Sequence, residues 1–212
     1  MLKHHVIITT ETVVLDGKVL EHNEKYGVLL AELYRGRIGD YPKFFKMDTL
    51  SKLGFVASEL LLKAENAERF EPREDRAIVL FNKTASLQAD THYQSTIQDP
   101  QNFFPSPSAF VYTLPNIVTG EIAIRNKYYG ETSFIVTETC NAAIMARQLL
   151  NAFQDPMTKD ILGGWVDCED ENHFDAFLFI IEKNQSQTSR EAEAIALENE
   201  IQSLINQRNT KK

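Results

Sequence analysis

The sequence predicts an α/β fold in which a sheet of short, deeply buried strands carries helices. Three observations lead there. Ala77 to Phe81 reads AIVLF, an unbroken apolar run of strand length, the pattern of a strand covered on both faces. Just before it, Leu50, Leu53, Ala57, Leu60, Leu61 and Ala64 recur at helical spacing. Ser106 to Asp167 then alternates helix, strand, helix and strand signals, punctuated by Pro107 and Pro115 and closing on Gly163-Gly164.

The remaining elements follow in order. Apolar residues between His5 and Leu15 predict a strand that turns back at Asp16-Gly17. His4 and His5 are adjacent, point apart on a strand, and have no acidic partner at metal-ligand spacing, so no metal site is expected. Tyr26 to Tyr34 predicts a short helix broken by Gly36, Gly39 and Pro42; Phe44, Phe45 and Met47 beyond it read as packing anchors or an acyl-pocket lining. Asn82, Lys83 and Thr84 end the AIVLF strand where open parallel sheets place ligands. Thr91, His92 and Tyr93 fall in another short helix, and His92 lacks a partner that would make it a general base. Ile117, Gly120 and Ile124 share a helical face on which the small Gly120 would permit close packing.

Ser133 to Val136 predicts a strand, followed by a helix starting near Thr139 with Ala142, Ala146, Leu149, Leu150 and Phe153 towards one side. Asp160 to Cys168 and Phe174 to Ile181 read as two strands paired antiparallel across the turn Glu169 to Asn172. Gly163-Gly164 allows close backbone approach but lacks the spacing and lysine of a phosphate loop. Asn184 to Ser189 is a polar linker, and Ala194, Leu197, Ile201, Leu204 and Ile205 stripe a final helix that docks on the sheet or on a partner subunit. The expected division is 1–183 for the main domain and 184–212 for the linker and docking helix.

Composition narrows the function. With 212 residues the chain holds one substantial core or two small domains, and 43% hydrophobic residues fit a soluble globular protein. A net charge of -8 argues against nucleic acid as a partner. No stretch approaches the roughly 20 apolar residues of a membrane span, and the amino terminus carries no secretory pattern. Two cysteines make no disulfide framework, so the cytoplasm is the expected compartment.

Cys140 is the residue with chemistry to offer, because it lies where a strand hands over to a helix. In a first helical turn, backbone N–H groups and the positive helix end would favour a thiolate and stabilise an oxyanion, as acyl transfer needs. Glu138, two residues away, works against a thiolate, and a structural cysteine is the competing reading. His173 is the candidate base for Cys140, with Asp175 to orient its ring; a plain turn residue is the alternative.

Several of these stretches together resemble the beta-ketoacyl synthase family of the thiolase-like superfamily. They are YPKFFKMD at Tyr41 to Asp48, AIVLF, PSAFVYTLPNIVTGEIAI at Pro107 to Ile124, Gly130 ahead of a strand, and ILGGWVD at Ile161 to Asp167. The resemblance spans most of Val6 to Ile181. It implies a thiolase-like layered fold, a mostly parallel five-stranded sheet flanked by helices, corresponding to the amino-terminal half of a condensing enzyme. It also implies a dimer interface near the strand that precedes Cys140, an acyl-accepting cysteine after that strand, and two histidines in a carboxy-terminal half that these 212 residues do not contain. Counting from Gly130 places the family cysteine near Thr139, and counting back from Gly163-Gly164 places it near Glu138. Thr137, Glu138 and Thr139 replace the small residues usual there.

Two functions follow from the resemblance. One is a non-catalytic synthase-like subunit of a fatty-acid or polyketide-type condensing system, forming a homodimer or a heterodimer with a full-length condensing enzyme, or binding acyl carrier protein. The other is a 3-oxoacyl-carrier-protein synthase or acyltransferase that uses Cys140 with histidines from a partner. Neither requires a cofactor or a metal. Lys43, Lys46, Arg125, Lys127 and Arg147 form a candidate basic patch for the acidic carrier.

Overall fold

A computed structural model of the chain describes residues 2–65, 68–184 and 189–211. The chain opens with β1 (Leu2–Thr9), turns into β2 (Val13–Leu15), and reverses again through Asp16 and Gly17, both at positive φ, into β3 (Lys18–Val19). Helix α1 (Tyr26–Arg37) runs through Gly36, and Pro42–Lys46 makes a 3-10 turn that seats Phe44 on Tyr34, ring centroids 4.1 Å apart. Then come α2 (Thr49–Glu65), β4 (Arg76–Asn82), α3 (Leu87–Ser95), α4 (Pro107–Val111), α5 (Ile117–Asn126) and β5 (Thr132–Val136). Helix α6 (Ala142–Ala152), β6 (Asp160–Asp170), β7 (His173–Glu182) and α7 (Arg190–Asn209) complete it.

The strands form a seven-stranded mixed sheet in the order β3-β2-β1-β7-β6-β4-β5. Among the strands of the described residues only β4 pairs in parallel, with β5 on one side and β6 on the other; the other strand pairings are antiparallel. This corrects the expected five-stranded, mostly parallel sheet. The short turn between β6 and β7 can only produce an antiparallel pair, whereas β4 reaches β5 by a crossover containing three helices. β1 then joins β7 antiparallel and brings β2 and β3 with it.

Alternation along β4 divides the core. Ile78 and Leu80 face the layer of α1, α2 and α5, while Ala77, Val79 and Phe81 face α6 and α7. Burial on both faces accounts for the all-apolar AIVLF run. At its base Arg76 is buried and paired with Asp160 and Glu65.

Close helix packing occurs at Gly54 of α2, where a Cβ would run into the Val118 side chain. The expected contact at Gly120 is absent: a Cβ there meets nothing within 4 Å, and Ile124 is exposed. The buried side of α5 carries Val118, Glu121 and Ile122, a face with the same periodicity rotated by one residue. Helix α7 docks on α6 of its own chain through Leu197, Ile201, Leu204 and Ile205. Of the predicted linker, residues 185–188 lie outside the described residues. Among the described residues no helix is long and apolar enough to cross a membrane.

Candidate functional site

Strand β5 ends the sheet. Its inner side pairs with β4, from Ile78 opposite Thr132 to Asn82 opposite Val136. Ile78 donates its N–H to the Glu131 carbonyl and Thr137 donates to the Asn82 carbonyl, each at 2.8 Å. Parallel pairing uses alternate residues, so Ser133 and Ile135 also donate inwards and the N–H groups of Thr132, Phe134 and Val136 point out of the sheet. The other edge, β3, has two residues and an exposed lysine, which blunts it. β5 reads TSFIV and carries no such protection.

Phe103, Phe104, Phe110 and Leu114, which flank or belong to α4, are all more than half exposed. Their sequence signal was a pair of phenylalanines outside any apolar period; exposure follows from the shortness of α4, which turns no side chain fully inwards. Val136 and Ile144 are further exposed apolar residues, at the end of β5 and in the first turn of α6.

Cys140 sits in the connection from β5 to α6. That connection is held by Thr137, whose hydroxyl donates to the Thr139 carbonyl at 3.0 Å, and by Asn141, whose side chain accepts from Ile144 N at 3.0 Å. Asn141 is therefore the N-cap, and the helix begins at Ala142, not near Thr139. Cys140 lies one residue ahead of that N-cap, half-buried against the α6–α7 side of the core. The elements packed on α6, namely β4, β6 and α7, carry no histidine.

His173 opens β7, at the same end of the sheet as Cys140, but β6 and β4 stand between β7 and β5. Three inter-strand spacings amount to about 14 Å. Its ring is exposed and its Nδ1 lies 2.9 Å from both Asp170 oxygens; the pair holds the Asp170 carboxyl below its ordinary range. Asp175 does not orient it, being engaged with Arg208 at 3.0 Å. The chain thus brings His173 to Asp170 and does not bring it to Cys140.

The loop after β4 is internally satisfied. Asp167 Oδ1 accepts from Lys83 N, Thr84 N and the Thr84 hydroxyl at 2.7–3.1 Å, and the Asn82 side chain bonds both backbone groups of Ala85. Two members of the expected basic patch are engaged as well, Lys43 with the buried Glu121 at 2.8 Å and Arg125 with Asp40 and Glu59. Cys168 is buried, and desolvation with the nearby Asp48 and Asp167 charges pushes its thiol far up. Among the described residues no group of three or more His, Cys, Asp or Glu is disposed to hold a metal ion.

No protein-family model matches the chain, and no curated protein matches it. Solved structures do. The ishigamide ketosynthase/chain length factor superposes with a TM-score of 0.58 at 18% identity, over 72% of this chain and 48% of that chain. A ketosynthase in complex with its chain length factor from Xenorhabdus doucetiae gives 0.57 at 12% identity, over 95% of this chain and 90% of that chain. The chain has a ketosynthase-like fold. A ketosynthase bound to the hexaketide, in complex with a type II polyketide-synthase acyl-carrier protein, adds a TM-score of 0.53 at 12% identity, over 86% and 62% of the two chains. The ketosynthase-like region therefore spans about half the length of the ishigamide structure's chain and nearly the whole of the matched Xenorhabdus chain.

Proposed function

We propose that the chain is a non-catalytic, synthase-like subunit of a polyketide-type condensing system, and that it pairs with a condensing enzyme through the β5 edge. The observation that carries this reading is the edge itself: β5 ends the sheet as an unprotected strand whose last three residues are apolar. An unguarded edge strand is a template for adding another strand. The exposed phenylalanines around α4 provide apolar surface of the kind that interfaces bury. The Xenorhabdus comparison supports a place in a two-component assembly, since that structure is a ketosynthase in complex with its chain length factor. In this reading 1–183 is the synthase-like unit and 184–212 the linker and docking helix, of which α7 packs on α6.

The position of Cys140, half-buried directly ahead of the α6 N-cap, favours a second reading in which it accepts an acyl group and the partner supplies the histidines. Intact-protein mass spectrometry after incubation with acyl-loaded carrier protein separates the two, using wild type, Cys140→Ser and His173→Ala, with and without a candidate condensing enzyme. A stable heteromeric complex without an adduct supports the first reading. An adduct lost in Cys140→Ser establishes the second, and its loss in His173→Ala would give that histidine a part in the chemistry.

A further inference from the structure

Away from the β5 edge, the start of α2, helices α3 and α4, and the β6–β7 turn line a half-open polar pocket of about 250 Å³. Lys46 and Lys52 line it together with Asp48 and Glu171. The chain is otherwise rich in ion pairs, yet among the described residues none of these four charges has a salt-bridge partner. Asp48 accepts from Ser51, whose backbone N–H lies at 3.0 Å, and from the Leu50 backbone, and Lys52 lies over the Phe44 ring at 5.9 Å. Gln88 lines the same cavity, and its Oε1 is buried without a hydrogen-bond partner. A buried acceptor left in that state is an exception that a ligand donor would remove.

Two ammonium groups, two carboxylates and an orphaned acceptor around one small space define what fits. A simple anion meets the carboxylates, a simple cation meets the lysines, and only a molecule with both charges answers each pair. The volume falls below the roughly 300–1,000 Å³ of sites for drug-sized ligands, which restricts the occupant to a small metabolite. We propose that this cavity binds a small zwitterion of the free α-amino-acid class, its carboxylate on Lys46 and Lys52 and its ammonium on Asp48, Glu171 and the Gln88 amide oxygen. This goes beyond the subunit reading and stands whether or not the chain pairs with a condensing enzyme.

The test is titration of the full chain with the twenty amino acids by two-dimensional NMR, with propionate and propylamine as single-charge controls. At least one amino acid should saturate below about 10 mM, shift the amides of Gln88, Ala89 and Ala109, and bind about tenfold more tightly than either control. Lys52→Met and Gln88→Leu should each weaken it about fivefold or more, with melting temperatures showing that the variants are folded. Saturation by no amino acid overturns the proposal. So does propionate binding as tightly as the amino acid, or shifts confined to residues outside the cavity; these two readouts use wild-type protein and hold if a variant fails to fold.

Discussion

Arg208 Nη1 donates to Asp175 Oδ1 at 3.0 Å, and both side chains are less than a tenth exposed. This ties the last turn of α7 to β7, with the guanidinium also lying 5.6 Å from the Phe177 ring centroid and 5.9 Å from that of Trp165. A buried ion pair has little net worth against an apolar replacement, but removing one partner leaves the other charge less compensated in the interior. Asp175→Ala or Arg208→Met should each destabilise the chain by about 3–5 kcal/mol, and Asp175→Leu combined with Arg208→Met by clearly less than the sum. Urea unfolding of the four proteins measures the coupling. Additive losses would mean that the two side chains act independently, and no loss in any variant that α7 is held by its apolar stripe alone.

At Gly54, α2 packs closely against Val118 of α5. Gly54→Ala raises helix propensity but forces the methyl into Val118, and overpacking of this kind costs about 1–3 kcal/mol. Val118→Ala in the same protein should recover part of that loss. Gly120→Ala, with open space at its Cβ, should stabilise by about 0.5–1 kcal/mol. Thermal denaturation of the three variants reads both signs.

Those two glycines show where sequence reading stops. Both sit in helices flanked by apolar residues, and the faces through Ile117 and through Val118 have the same period; which one turns inwards depends on where α2 lies. The AIVLF strand and the β6–β7 hairpin were legible because their determinants are local: burial on both faces demands an apolar run, and a short turn demands antiparallel strands. The partner of β1 was not, since its register with β7 joins residues about as far apart as the chain allows, and strand count and direction followed from that pairing. At the cysteine connection the readable signal was Asn141, three residues ahead of the N–H it caps. The open edge of β5 has no local determinant at all, because an edge is defined by what does not pair with it.

Stability should respond to pH in opposite senses at two carboxylates. Burial raises Asp48 above its ordinary range, against the bonds from Ser51. The folded chain therefore holds that proton more tightly than the unfolded one, and stability falls as pH climbs from the unfolded value of about 3.9 to the folded value. Glu65 is also opposed by burial, but its bonds to Arg76 and the Arg76 charge carry it below its ordinary range. Its contribution is complete above the unfolded value of about 4.3 and is lost as pH falls through the folded one. Asp48→Asn, which keeps an acceptor for the Ser51 N–H, should be more stable than wild type at pH 7 and indistinguishable from it near pH 3. Glu65→Gln should be less stable at pH 7, with the gap narrowing on acidification. Urea melts at several pH values check both.

The β5 edge offers the sharpest test of pairing, because inner and outer hydrogen bonds can be separated. Thr137, Ile135 and Ser133 serve β4, whereas the Val136 N–H points away and its side chain is half exposed. Proline at position 136 removes an outward donor while leaving every bond to β4 in place, and an edge strand is where proline is tolerated. Val136→Pro should therefore keep the melting temperature of the isolated chain within a few degrees and weaken binding to a condensing enzyme about tenfold or more. Ile135→Pro is the counterpart, since it removes an inward donor and should unfold the edge itself. Analytical ultracentrifugation of mixtures, with circular dichroism on each variant, distinguishes lost pairing from lost fold. Unchanged assembly by Val136→Pro would move the interface off this strand and onto the phenylalanine surface around α4.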